Sequence, residues 1–202
     1  FIRDVKGMFR QSILGIVWAF LPPFFTAAIW IFLKSSGAVG ISEVGIPYPV
    51  YVLSGTIIFQ SIAEALRLPF EAVNKGKSML VKLNFPRESL LISSFYQILF
   101  NLFFKLVALL AILLFFKNDF TAMALLFFPA IIGSVFVGFS IGTLMIPFQM
   151  LYNDFTKIVN LGMQVLLYLT PVVYPFPDSG ILKRIIELNP ITPLITLPRN
   201  VL

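Results

Sequence analysis

The amino-acid sequence predicts an all-α polytopic membrane protein, and three observations carry that prediction. Of the 202 residues, 58% are hydrophobic and only 12% are charged, whereas soluble domains carry ~25% charged residues. Mean hydropathy is +0.94, and a chain of 22.7 kDa has too much surface for its volume to bury so much apolar side chain away from water. The charges are also clustered. Residues 11–33, 44–63, 120–153 and 158–177 carry none, and 89–116 are interrupted only by Lys105. At 1.5 Å per residue such runs match a ~30 Å hydrocarbon core. The absence of Cys and His removes disulfides, thiolate chemistry, His-containing zinc sites and the commonest general base. A net charge of +6 would suggest nucleic acid in a soluble domain. Here the basic residues are distributed between apolar runs, so no nucleic-acid partner and no metal are expected.

The elements follow in order. In residues 1–11, Phe1, Val5, Met8 and Phe9 share one helical face while Arg3, Asp4, Lys6 and Arg10 take the other, the pattern of an amphipathic helix at a membrane interface. It reads either as a positive-inside anchor or as a docking surface for a soluble partner. The apolar run that follows is too long for a signal peptide and lacks an A-x-A-like cleavage site. Five spans are expected, at 12–34, 48–70, 88–116, 121–151 and 158–174, the second running beyond Glu64 toward Pro69. The fourth, which holds Pro129 and Pro147, is expected to be tilted or kinked. Trp18 and Trp30 lie ~18 Å apart along the first span, close for two interfacial belts, so at least one is expected to point inward.

Orientation follows from Lys and Arg. Segments 1–10, 67–88 and 152–157 hold nine of the fifteen, so those segments are expected to be cytoplasmic. The loop at 72–87 is the longest and most charged. Its Gly76-Lys77-Ser78 is not a phosphate-binding loop, because position 71 is Glu where that motif needs Gly and a membrane helix precedes it instead of a strand. Leu80, Val81, Leu83 and Phe85 make the loop more apolar than solvation requires, which points to a partner contact. In the third span Ser93, Gln97, Asn101 and Lys105 recur every four residues. This polar stripe is expected to face the bundle interior, either as a substrate path or as interhelical hydrogen bonding with Lys105 snorkelling outward. Counting Glu64 from Pro69 places it near the height of Gln97 and far from Lys105, so Lys105→Met is expected to be mild. The tail at 178–202 is too apolar for a free loop. With Pro190, Pro193 and Pro198 breaking it, it is expected to form short re-entrant helices in the outer leaflet. The chain opens on Phe1 and not Met, so a lead-in is expected before it, and because five spans leave the tail outside, a sixth span is expected to bring the chain back to the cytoplasm.

Five blocks, in order along the whole chain, resemble type 2 ABC exporter permeases for polysaccharides. The first is Phe1-Ile-Arg-Asp-Val-Lys-Gly-Met-Phe-Arg followed by Ser12-x-Leu14-Gly15-x-x-Trp18 and Pro22-Pro23. The others are Ile46-Pro-Tyr-Pro-Val-Tyr-Val-Leu-Ser-Gly, Lys82-Leu-Asn-Phe-Pro-Arg-Glu, Leu169-Thr-Pro-Val-Val-Tyr-Pro, and Leu188-Asn-Pro-Ile-Thr-Pro-Leu with Arg199.

The resemblance implies the transmembrane domain of an ABC type 2 exporter in the bacterial inner membrane. It implies a homodimer paired with two ABC ATPase subunits that carry ATP and Mg, itself non-catalytic and binding no cofactor. The cargo it implies is a lipid-linked glycan such as O-antigen on undecaprenyl pyrophosphate, with capsule, teichoic acid or another lipid or drug substrate as alternatives. It assigns a gate helix to residues 1–11 (Arg3, Asp4, Lys6, Arg10) and periplasmic re-entrant helices to the tail. ATPase coupling falls to Asn74, Lys75, Lys77, Leu80, Leu83, Phe85, Pro86 and Arg87. Together with the polar and aromatic pattern, it makes Trp18, Trp30, Tyr168, Tyr174, Gln97 and Asn101 candidates to line a channel between the first and fifth spans. Two rival classes are weaker. A secondary transporter or channel needs ionisable groups within the spans, and only Glu64 and Lys105 qualify. A lipid-modifying enzyme needs paired carboxylates or a metal cluster, and Asp119 and Asp154 are expected on opposite sides of the membrane.

Overall fold

A computed structural model of the chain describes residues 17–40, 45–82, 88–116, 125–152, 154–177 and 179–201, without the side chains of 17–20 and 77–82. Among the described residues there are helices and no strands. They are α1 (Val17–Ser35), α2 (Tyr48–Lys82), α3 (Glu88–Phe115), α4 (Phe127–Leu151), α5 (Phe155–Tyr168), α6 (Ile181–Leu188) and α7 (Ile191–Arg199). Three of these hold stretches long and apolar enough to cross a membrane: Tyr48–Gly76, Glu88–Phe115 and Phe127–Leu151.

The bundle is built around α2, which packs against α1, α3, α4, α5 and α7. It is the least apolar of the three long helices and the most deeply buried. That inverts the rule for soluble proteins and follows from the solvent: lipid accepts Leu and Phe, so the helix carrying polar groups takes the centre, where other helices satisfy them. Ser54, Thr56 and Ser61 are fully buried there, beside Val50, Val52, Ile57, Ile58, Ile62 and Phe70. The three hydroxyls are satisfied within the helix, Ser61 donating to the Ile57 carbonyl at 2.7 Å and Thr56 to the Val52 carbonyl at 2.8 Å.

Two contacts fix the register around α2. On α4, Gly138 faces Ile62 and Gly142 faces Leu66, so α2 and α4 run parallel; a Cβ on Gly142 would overlap the Leu66 backbone carbonyl. Small residues four apart on one face let helix backbones approach closely. On α3, Leu90 lies against Gly76 while Asn101 and Lys105 reach Glu64, so α2 and α3 run antiparallel. At the start of α5 the Lys157 ammonium donates to Asp154 Oδ1 at 2.9 Å. That hydrogen bond and the cation's charge hold the Asp154 carboxyl below its ordinary pKa.

Several expected boundaries move. The segment expected as a loop from residue 72 is helical as far as Lys82, and α2 passes straight through Pro69. Its 35 residues span ~52 Å, well beyond a ~30 Å hydrocarbon core. The fifth helix starts at Phe155, earlier than expected, and stops at Tyr168, after which residues 169–174 form turns. Fourteen residues reach only ~21 Å. The fourth helix starts at Phe127, and the tail forms two short helices, α6 and α7. The proposed gate helix at 1–11 lies outside the described residues.

Candidate functional site

Glu64, in the middle of α2, is where the polar residues of the bundle converge. Its Oε1 lies 2.9 Å from Lys105 Nζ on α3, and its Oε2 accepts from Asn101 Nδ2 at 3.5 Å. Lys105 is completely buried. It does not snorkel outward, contrary to the expectation from sequence, and it is the direct partner of Glu64. The reason is geometric. Because α2 continues to Lys82, Glu64 stands eighteen residues from that end and Lys105 seventeen from Glu88, or ~27 and ~25 Å, so the two are level. A buried charge in such surroundings persists only beside its counter-charge.

Glu64 also forms part of the wall of a cleft of about 420 Å³ between α1, α2 and α5. Gln60, Glu64 and Arg67 line it from α2, and Asn160 and Gln164 from α5, with Phe59, Met163 and Leu167 as apolar patches. Arg67 in turn lies 3.1 Å from Glu71 and Lys75 3.7 Å from the same carboxylate. This i,i+4 series was the available signal that the helix continues past Pro69. Gln60, Asn160 and Gln164 were not singled out in the sequence, because isolated amides in an apolar run carry no pattern of their own.

A second cluster forms at the opposite end of α2 from Lys82. There the chain leaves α5 and runs without helix through residues 169–177, exposing carbonyls that lipid cannot satisfy. Side chains from two separate blocks meet this need. Tyr48 donates to the Val173 carbonyl at 2.9 Å, Tyr51 to the Tyr174 carbonyl at 3.0 Å, and Arg199 Nη1 to the Val172 carbonyl at 3.2 Å. Asn189 donates to Thr170 Oγ1 at 2.9 Å, and its own Oδ1 accepts from the Ile191 N–H at 3.0 Å. The Arg199 guanidinium sits 4.0 Å above the Tyr51 ring and the Lys34 ammonium 4.1 Å above Tyr48, both in cation–π contact. Gly55 leaves room for the Val172 carbonyl, where any side chain would collide. The blocks around residues 46–55, 169–175 and 188–199, scattered in sequence, thus build one joint.

The candidate channel residues separate. Asn101 reaches Glu64, and Gln97, one turn before it on α3, is half-buried. Trp30 packs half-buried against the core, while the Trp18 side chain lies outside the described set. Tyr174 donates to the Tyr168 carbonyl at 2.8 Å, and the Tyr168 ring is exposed. Neither tyrosine nor Trp30 lines the cleft. Of the coupling candidates, Asn74 and Lys75 are exposed on the last turns of α2. Lys77 and Leu80 continue that helix without described side chains, and Leu83, Phe85, Pro86 and Arg87 lie outside the described residues, as do Arg3, Asp4, Lys6 and Arg10. No cluster of metal-ligating side chains occurs among the described residues.

The whole chain, residues 1–202, matches the family described as ABC-2 type transporter. It is similar to two proteins from Klebsiella pneumoniae named O-antigen export system permease protein RfbA, each 23% identical over 96% of this chain and 74% of theirs. A protein of the same name from Myxococcus xanthus is 22% identical over 96% of this chain and 75% of its own. With a helical membrane bundle, a central polar helix and a match over its full length, this chain belongs to the ABC-2 type transporter family.

Proposed function

We propose that the chain is the permease subunit of an ATP-driven exporter that moves a lipid-linked polysaccharide of O-antigen type across the bacterial inner membrane. The observation that carries this reading is the similarity to O-antigen export permeases along 96% of the chain. The buried polar helix and its cleft support it, because a polar polymer crossing lipid needs a wet path lined by protein. The subunit works as a homodimer with two ATPase subunits that hold ATP and Mg, and performs no bond chemistry itself. Coupling runs through the protruding end of α2 and residues 83–87, with Asn74, Lys75, Lys77, Leu80, Leu83, Phe85, Pro86 and Arg87 as the contact set. The Arg3, Asp4, Lys6 and Arg10 segment forms the gate. Trp18, Trp30, Tyr168 and Tyr174 offer shallow aromatic contacts along which sugars slide, since a deep minimum at any one point would stall a moving chain.

Complementation tests the reading. A strain lacking this chain is expected to lose surface glycan while the lipid-linked precursor accumulates, and the tagged chain is expected to restore export and to co-purify with an ATPase. Unchanged surface glycan in the deleted strain, or restored export with no associated ATPase, would overturn it.

A further inference from the structure

We infer that Glu64 is a specificity-determining hydrogen-bond acceptor for uncharged sugar hydroxyls in the cleft between α1, α2 and α5, and that Lys105 and Asn101 are the positioning residues that hold it there. The inference rests on the glycan-export reading.

Four observations lead to it. The Glu64 carboxylate is shared between two surroundings: it meets a fully buried Lys105 on one side and forms part of the cleft wall on the other. A carboxylate has about four acceptor positions. The contacts from Lys105 and Asn101 leave others free to face the cleft.

The cleft is also balanced in charge. Glu64 is neutralised by Lys105 behind the wall, and Arg67 by Glu71 one turn further along α2. A wall of this kind offers strong donors and acceptors without a net field, so it neither traps a phosphate nor repels one. The remaining polar lining is three amides, Gln60, Asn160 and Gln164, each both donor and acceptor. Hydroxyls, which also donate and accept, match that set, whereas an anionic cargo would call for unpaired Lys or Arg. Phe59, Met163 and Leu167 supply apolar surface for the C–H faces of a pyranose.

Finally, Lys105 is placed to do nothing else. With no exposed surface it cannot touch cargo, so its effect on cargo must pass through Glu64. The pair holds the carboxylate in place against the cleft wall, a geometry that Glu64 alone, in a membrane interior, would not keep.

The test compares two charge-free replacements of the same pair, because replacing a buried ion pair by neutral groups of similar volume is often harmless to folding. Glu64→Gln with Lys105→Met keeps an acceptor at the wall, and Glu64→Leu with Lys105→Met removes it. Both are expected to accumulate in the membrane and to co-purify with the ATPase at wild-type levels. Surface glycan per unit of permease is expected to be at least tenfold lower in the Leu pair than in the Gln pair. Equal export by the two pairs, beside an exporting wild type, would overturn the acceptor role and leave the ion pair as packing. Failure of the wild-type chain itself to restore glycan would overturn the export reading, and this inference with it. If the Leu pair fails to accumulate, Glu64→Met with Lys105→Met, which also lacks the acceptor, replaces it, and the same equality would be decisive.

Discussion

Lys105 shows how one miscounted helix end changes a residue's role. Placed by its distance from Pro69, Glu64 falls a long way from Lys105, and the lysine is left to find water by itself. Once α2 is continuous to Lys82, the two charges stand level and meet at 2.9 Å. The consequence for substitution is opposite to that of a snorkelling side chain. Lys105→Met alone strands the Glu64 carboxylate inside the bundle, and breaking a buried pair in this way costs about 3–5 kcal/mol. Thermal unfolding of the purified subunit in detergent is expected to show the loss, with less permease in the membrane. A Lys105→Met variant as stable as the parent would mean that the pair does not form. What the sequence showed at this scale was the four-residue spacing of Gln97, Asn101 and Lys105; what it lacked was the height of the partner.

At the scale of elements, the tightest contact is α2 against α4, where Gly138 and Gly142 let two parallel helices approach. Gly142→Ala places a methyl group on the Leu66 carbonyl and is expected to cost about 1–3 kcal/mol by overpacking. Gly133 on the same helix has nothing within 4 Å of its would-be Cβ, so Gly133→Ala is expected to lose nothing and to gain up to ~1 kcal/mol of helix propensity. The two variants are compared by thermal unfolding in detergent, and equal stabilities would contradict the close approach. The joint after α5 belongs to this scale as well. Pro171 and Pro175 lie in the stretch where the helix has ended, although the span was expected to run on to residue 174. They did not say that Tyr48, Tyr51 and Arg199 would supply the donors that make the break tolerable in a membrane.

For the whole molecule, the placement of positive charge sets an orientation. With nine of the fifteen Lys and Arg in segments 1–10, 67–88 and 152–157, those segments are expected on the cytoplasmic side. On that orientation the far end of α2 from Tyr48 is expected to reach ~20 Å beyond the hydrocarbon core on the cytoplasmic side. The chain has no cysteine, so single-cysteine labelling is clean. In intact cells a reagent confined to the outside is expected to label Ser36→Cys and Ser179→Cys, both at exposed positions, and to spare Ser78→Cys until the membrane is opened. Labelling of Ser78→Cys in intact cells would reverse the topology.

By itself the sequence determined the solvent, the helical class, the approximate places of the long helices and the family, because each depends on the order of apolar runs, charges and prolines along the chain. Only the tertiary structure decided that the polar residues form a centre. Side chains from α2 and α3 at the same height are separated by 37 to 41 positions in sequence, and those at the joint after α5 by up to 148, between Tyr51 and Arg199. No local pattern records which residues share a height. That follows from where each helix ends and from the close approach that glycine permits, and these are properties of packing.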